Sequence, residues 1–228
     1  MTTNVSNLIL EVGRKCNMQC DHCLRGPAEN KTMSIETAIE AIDSFEYINQ
    51  ITFTGGEPML YAKNIIKIID YIIKNGKKVY GFYMATNGKF IDTSLLLKFA
   101  EFYAYCVENG GEDELCRIDL SNDQYHENVE IPTILKAFKF FGIRGNISSL
   151  INEGYAELYE MGSRNLKREH SFYIDTYANE STIDLVYVNA RGFIYSDCDF
   201  SYKTQKELEK YRIKDIPEII ANACCEAA

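Results

Sequence analysis

The chain has 228 residues, 46% of them hydrophobic and 25% charged, and a formal net charge of −9. That length fits one domain with a small appendage and a substantial core, and the composition excludes a disordered or fibrous chain. The acidic balance argues against the broad basic surface that grips nucleic-acid phosphates, and neither a secretion signal nor a membrane-spanning apolar stretch is read, so the expectation is a cytoplasmic protein acting without membrane or nucleic acid.

The first predicted strand is "LILEVG", Leu8 to Gly13, and the cysteine-rich "CNMQCDHC", Cys16 to Cys23, follows it as a loop. Ser34 then reads as an N-cap, with Ile35, Ala38, Ile39 and Ile42 on one face of the helix it starts. "QITFTGGEP" is a short apolar strand closed by paired glycines and a proline, a sharp stop that exposes backbone. "AKNIIKIIDYIIKNG" carries Ile65, Ile66, Ile69, Ile72 and Ile73 at helical spacing and ends on Asn75-Gly76.

The rhythm repeats with "KVYGFYMATNG" as third strand, "TSLLLKFAEFYAYCV" as its helix and "LCRIDLSND" as fourth strand. The helical "EIPTILKAFKFFG" and a fifth strand, "IRGNISSLI", follow. Strands alternating with helices imply a parallel α/β sheet with right-handed crossovers, so the loops after the strands gather on one rim. From about residue 171 the pattern changes to consecutive strands, "SFYIDTYA", "TIDLVYVN" and "GFIYSDCD", the last two joined at "ARG" as a hairpin and one of them available to complete the main sheet. The polar tail reads as helical, with Pro217 beginning a final helix.

Eight cysteines stand at 16, 20, 23, 106, 116, 198, 224 and 225. In a reducing compartment structural disulfides seldom persist, which makes metal binding the leading reading of the clustered ones. Cys16, Cys20 and Cys23 are soft donors that suit an iron–sulfur cluster or zinc. A closed zinc site needs a fourth protein ligand, His22 or a distant cysteine, whereas three cysteines leave one iron of a cubane open. Three incidental buried thiols are the remaining alternative. Cys106, in an apolar helical segment, and Cys116, before a strand, read as small buried hydrophobes.

At this point the residues resemble a known family. "CNMQCDHC" matches the CxxxCxxC signature of the radical S-adenosylmethionine (radical SAM) superfamily, "TGGEP" from Thr54 to Pro58 looks like its GGE motif, and "TNG" and "LSND" are similar to the motifs ending its third and fourth strands. The four occur in family order between about residues 8 and 150. The resemblance implies a partial TIM-like (β/α)6 barrel over 1–170, with a short C-terminal β-hairpin and helical extension over 171–228 packed on it. "EGYAELYEMGSRN" and "VNARGFIYSDCDFSY" faintly resemble parts of the extensions of peptide-modifying members, which often carry auxiliary clusters.

The resemblance further implies that Cys16, Cys20 and Cys23 ligate three irons of a [4Fe–4S] cluster, while the amine and carboxylate of SAM chelate the fourth. One electron from the reduced cluster then breaks the S–C5′ bond, and the 5′-deoxyadenosyl radical abstracts hydrogen from a substrate. Gly55 and Gly56 would let backbone approach SAM where a Cβ intrudes, and Glu57 would receive the methionyl ammonium. Thr86, Asn87, Ser121 and Asp123 become candidates for the ribose and carboxylate, set against ordinary turn chemistry. His22 takes the place usually given to an aromatic beside adenine. No side chain is singled out as catalytic, and Tyr125, His126 and Glu127 near the rim read as structural, with substrate contact or proton donation as the alternative. A second cluster on Cys198, Cys224 and Cys225 is an auxiliary expectation. The implied partners are a peptide or protein substrate, a ribosomally made peptide first among them, and an electron donor such as flavodoxin or ferredoxin. The competing readings are a glycyl-radical activase acting on a partner protein and a non-catalytic zinc-binding interaction domain.

Overall fold

The computed structural model describes residues 2–20, 23–121, 135, 137–144 and 172–226. In chain order the strands are β1 (Thr2–Gly13), β2 (Tyr47–Gly55), β3 (Lys78–Val79), β4 (Phe82–Thr86), β5 (Cys116–Ser121), β6 (Phe141–Arg144), β7 (Ile174–Tyr177), β8 (Glu180–Val188), β9 (Phe193–Tyr195) and β10 (Tyr211–Arg212). The α-helices are α1 (Ile35–Asp43), α2 (Ala62–Lys74), α3 (Thr93–Glu108), α4 (Tyr202–Glu207) and α5 (Ile216–Glu226).

They form one mixed sheet in the order β10-β9-β8-β1-β2-β4-β5-β6, with β3 beside β2 and β7 beside β8. From β8 through β6 every neighbouring pair is parallel, and the sheet is open, with β6 and β10 at its ends among the described residues. This is the parallel-rich α/β architecture of a partial TIM-like barrel.

Ser34 caps α1 by accepting the Thr37 N–H at 3.1 Å, and α1 buries Ala38, Ala41 and Ile42 while Ile39 stays half-buried. Helix α2 buries Ile65, Ile68, Ile69 and Ile72, leaving Ile66 and Ile73 at its flanks, and α3 buries Leu95, Leu96, Phe99, Phe102 and Cys106. Both helices pack on one sheet face, where the Phe82 ring lies 4.8 Å from Phe99, 5.4 Å from Phe102 and 5.5 Å from Phe140. Phe82 is fully buried, so Phe82→Ala is expected to lower the unfolding free energy by about 3–5 kcal/mol in a denaturant titration.

Three expectations change. First, β1 begins at Thr2, ahead of the apolar run, because its polar first half is hydrogen-bonded on both sides, to β2 from Val5↔Ile48 and to β8 from Thr2↔Glu180. Second, the third strand divides into β3 and β4 at Tyr80–Gly81, although both residues stay bonded to β2, Tyr80 N–H to Ile48 O at 3.1 Å and Ile51 N–H to Gly81 O at 3.0 Å, and Leu115 packs so close that a Cβ on Gly81 would meet its Cβ at 2.4 Å. Third, β6 starts at Phe141, inside the stretch expected to be helical, because the Phe138–Phe140 turn feeds its rings into the core and Phe141 pairs with Ile118. Residues 130–134 and 136 of that predicted helix and 145–151 of the fifth strand lie outside the described residues, as does "EGYAELYEMGSRN".

The C-terminal hairpin forms where expected, with Val188↔Ile194 antiparallel across Ala190–Gly192, and β8 joins the main sheet alongside β1. Within the tail, helices α4 and α5 are separated by β10, which pairs with β9.

Candidate active site at the strand ends

The loops after β1, β2 and β4 meet because glycine removes the atoms that would keep them apart. A Cβ on Gly13 would sit 2.1 Å from the Tyr61 ring, one on Gly55, whose φ is +153°, would sit 2.0 Å from the Gly13 carbonyl oxygen, and one on Gly56 would sit 2.3 Å from that of Lys15. Two backbone bonds use this closeness, Gly56 N–H to Gly13 O at 3.0 Å and Glu57 N–H to Lys15 O at 2.8 Å. The Tyr61 hydroxyl adds a third tie, accepting the Lys15 N–H at 2.7 Å and donating to Lys31 O at 3.1 Å. The paired glycines thus serve contact between the GGE loop and the cysteine loop, a requirement internal to the chain.

Glu57 is 2% exposed. One carboxylate oxygen accepts from Met59 N–H at 3.0 Å and from the Thr86 hydroxyl at 2.7 Å, and the other accepts from Asn87 N–H at 2.9 Å. The carboxylate therefore caps the 3-10 turn at Pro58–Tyr61 and fastens the end of β4 to the end of β2. Asn87 carries the chain of contacts onward: its Nδ2 donates to Asn17 Oδ1 at 2.8 Å and lies 3.9 Å from the Cys16 sulfur.

Cys16, Cys20 and Cys23 are half-buried on one loop, and none of the three is in a disulfide. The Cys23 N–H donates to Cys20 O at 3.0 Å and Gly26 N–H to Cys23 O at 3.3 Å, so the second half of the motif is turned back on itself. Burial pushes the Cys16 thiol above its ordinary range, opposed by the Met18 backbone hydrogen bond and reinforced by the charge of Glu57. Three soft sulfur donors on one loop fit an iron–sulfur cluster, whose binding would displace their protons.

Ser121 ends β5, half-buried, and the pairing of Leu120 with Thr86 sets it level with Asn87. Gly55, Gly56, Glu57, Thr86, Asn87 and Cys16 are thus joined by direct contacts, and Ser121 stands on the same rim. His22, Asp123, Tyr125, His126 and Glu127 lie outside the described residues, as do the side chains of Cys224 and Cys225, whose backbone belongs to α5. Cys198 is half-buried, with its thiol pushed up to about 11 by burial and then by the charge of Asp199.

A buried polar cluster that the sequence reading missed underlies the cysteine loop. Glu11 and Arg14 are fully buried and paired, Arg14 Nε to Glu11 Oε1 at 2.5 Å. Tyr187, Asn189, Tyr195 and Gln205, all buried, come to them from the C-terminal segment. The one local signal is a glutamate inside the apolar run "LILEVG", since a carboxylate is almost never fully buried without a partner.

Comparison with known proteins matches residues 10–140, more than half the chain, to the family model described as the radical SAM superfamily. A 78-residue stretch is 40% identical to the uncharacterized protein MJ0907 of Methanocaldococcus jannaschii, covering 33% of this chain and 27% of that protein. A 63-residue stretch is 30% identical to the Bacillus subtilis protein YfkA, covering 26% and 17%. Among solved structures, the chain is similar to anSMEcpe with bound AdoMet and Cp18Cys peptide, at 21% identity and a TM-score of 0.37 over 54% of this chain and 33% of that one. It is also similar to Streptococcus suis SuiB bound to its precursor peptide SuiA, at 11% identity and a TM-score of 0.45 over 90% and 61%. The matched stretches span less than a third of either curated relative, and the family match, covering the cysteine loop and the ends of β1, β2, β4 and β5, carries the assignment: this chain belongs to the radical SAM superfamily, whose cofactors are a [4Fe–4S] cluster and S-adenosylmethionine.

Proposed function

We propose that Cys16, Cys20 and Cys23 hold the cluster, and that the enzyme abstracts hydrogen from a ribosomally made peptide. Held by these residues, the cluster and SAM would supply one-electron chemistry that yields a hydrogen-abstracting radical. The chain's own contribution is placement. Gly55 and Gly56 bring the GGE loop onto the cysteine loop, Glu57 holds Thr86 and Asn87 at the end of β4, and Asn87 reaches Asn17 beside Cys16. That chain of contacts is the observation that carries the reading, because it makes one seat of motifs far apart in sequence. On this reading the backbone around Gly56 and the side chains of Thr86, Asn87, Ser121, Asp123 and His22 meet the SAM headgroup, ribose and adenine.

The peptide reading is supported by the sheet face turned away from α2 and α3. Thr52, Tyr83 and Arg117 are aligned across β2, β4 and β5 on that face. Thr52 donates to Asn7 Oδ1 at 2.9 Å, and Asp119 accepts from Tyr83 at 3.2 Å and Arg117 at 2.5 Å, with the Arg117 side chain 53% exposed. A hydrogen-bonding face suits a substrate rich in amide groups, whereas the barrel of an ordinary TIM fold is filled by branched apolar side chains. The C-terminal hairpin resembling that of peptide modifiers points the same way. A reducing cytoplasm and a flavodoxin or ferredoxin as electron source complete the proposal.

The experiment offers the enzyme perdeuterated peptides translated from the short reading frames that flank this chain's gene. With SAM and dithionite, deuterium is expected in the released 5′-deoxyadenosine. Unlabelled 5′-deoxyadenosine at a rate that the peptide leaves unchanged would remove the peptide as substrate, and a glycyl-radical signal on a co-encoded partner would replace it with activase chemistry.

A further inference from the structure

The cysteine loop is bounded by two arginines, and both reach into the C-terminal segment. Arg14, fully buried, donates from Nη2 to Gln205 Oε1 at 2.5 Å and from Nη1 to Glu29 Oε2 at 2.8 Å, with its guanidinium 4.3 Å from the centre of the Tyr202 ring. Arg25 donates to Phe200 O at 2.7 Å and lies 4.9 Å from the Tyr187 ring centre, while the Tyr202 N–H donates to Arg25 O at 3.0 Å.

The partners of Glu11 decide what this means. Besides Arg14, its carboxylate accepts from the Tyr187 hydroxyl, from Ala190 N–H at 3.0 Å and from Gln205 Nε2 at 3.2 Å. All three of those donors belong to the C-terminal segment. Gln205 is itself held, its carbonyl accepting from the Tyr195 hydroxyl at 2.9 Å, and that hydroxyl accepting from Asn189 Nδ2 at 3.0 Å. A buried ion pair is tolerable only when its remaining hydrogen-bonding capacity is filled. The charges at the foot of the cysteine loop are therefore satisfied only while the stretch from β8 to α4 is docked.

From this we infer that Arg14 and Gln205 are positioning residues, a latch through which the C-terminal segment fixes the backbone that carries Cys16, Cys20 and Cys23. The consequence for the cofactor rests on reading those cysteines as cluster ligands; the latch itself does not. It acts on residue 14, two before the first cysteine, and on residue 25, two after the last.

The test is thiol alkylation of the metal-free, full-length chain by iodoacetamide, followed cysteine by cysteine by mass spectrometry. Gln205→Leu removes the amide from Arg14 and Glu11. Cys16, Cys20 and Cys23 are expected to react about tenfold faster, the scale of a lost hydrogen bond to a charged group expressed as local opening. Cys106 and Cys116, buried on α3 and β5, are expected to keep their rates. Loop rates that stay unchanged, or a rise shared by all five thiols, overturn the latch. Gln205→Asn, which keeps the amide but shortens its reach, is expected to give a smaller effect on the same three cysteines and serves if the leucine variant does not fold. In the reconstituted enzyme the variant is expected to keep its iron but shift the electron paramagnetic resonance (EPR) line shape of the reduced cluster, and an unshifted spectrum overturns the positioning role. A wild-type chain that takes up no iron refutes the ligand reading alone, with alkylation still deciding the latch.

Discussion

Cys20→Ala is expected to abolish release of 5′-deoxyadenosine from SAM under strong reductant. Loss of one of three thiolates leaves a cluster two iron–protein bonds, and no other cysteine among the described residues shares the loop to replace it. The fall is expected to be at least about a hundredfold, the upper end of what mutating a metal site's outer hydrogen-bonding partners costs. Chromatographic quantitation of 5′-deoxyadenosine after anaerobic reconstitution reads it directly. Cys106→Ala is the matching control, because that thiol is buried in α3 against the core and takes no part in the site. Activity kept by the Cys20 variant, or lost equally by the Cys106 variant, contradicts the ligand assignment.

The second large effect is expected at Glu57. Replacing it by Ala leaves the Thr86 hydroxyl and the Asn87 and Met59 amides without the acceptor they now share. Each buried donor left unmade costs about 1–3 kcal/mol, so Glu57→Ala is expected to lose about 3–5 kcal/mol of stability in a denaturant titration. It is also expected to slow SAM cleavage, because Asn87 then loses the bond that fixes its backbone beside Asn17 and Cys16. Glu57→Gln keeps one acceptor oxygen but turns an NH2 toward a donor, and an intermediate loss is expected. A change in the alanine variant within about 0.5 kcal/mol, the range of an ordinary surface substitution, would show that the carboxylate is not a strut.

The alternation of strands and helices, the Ser34 cap and the order of the strand-end motifs were legible because each is a local pattern of a few residues. The first half of β1 was not, since "TTNVSN" has no apolar run and is strand only through pairing on both sides. The close approach of Leu115 to Gly81 and the start of β6 at Phe141, which packs with the aromatic core, are set by residues distant in sequence. Within the site, the sequence offered a reason for bare backbone at Gly55 and Gly56 in the approach of a bound nucleotide, and the structure adds a second one that no local pattern could carry, the carbonyl oxygens of residues 13 and 15 that a Cβ would strike. Of the Glu11–Arg14–Gln205 cluster only the glutamate in the apolar run showed, because Arg14 and Gln205 stand 191 positions apart. The parallel pairing of β8 with β1, together with the contacts of Arg25 to Phe200 and Tyr202, brings them together.

The most direct test of the central claim is an EPR spectrum of the anaerobically purified, reduced protein before and after SAM is added, with iron and sulfide measured on the same sample. The account predicts about four irons and four sulfides per chain and a spectrum that changes on adding SAM, because one iron is left for the nucleotide. Protein that binds zinc in place of iron, or a cluster whose spectrum is indifferent to SAM, would contradict it.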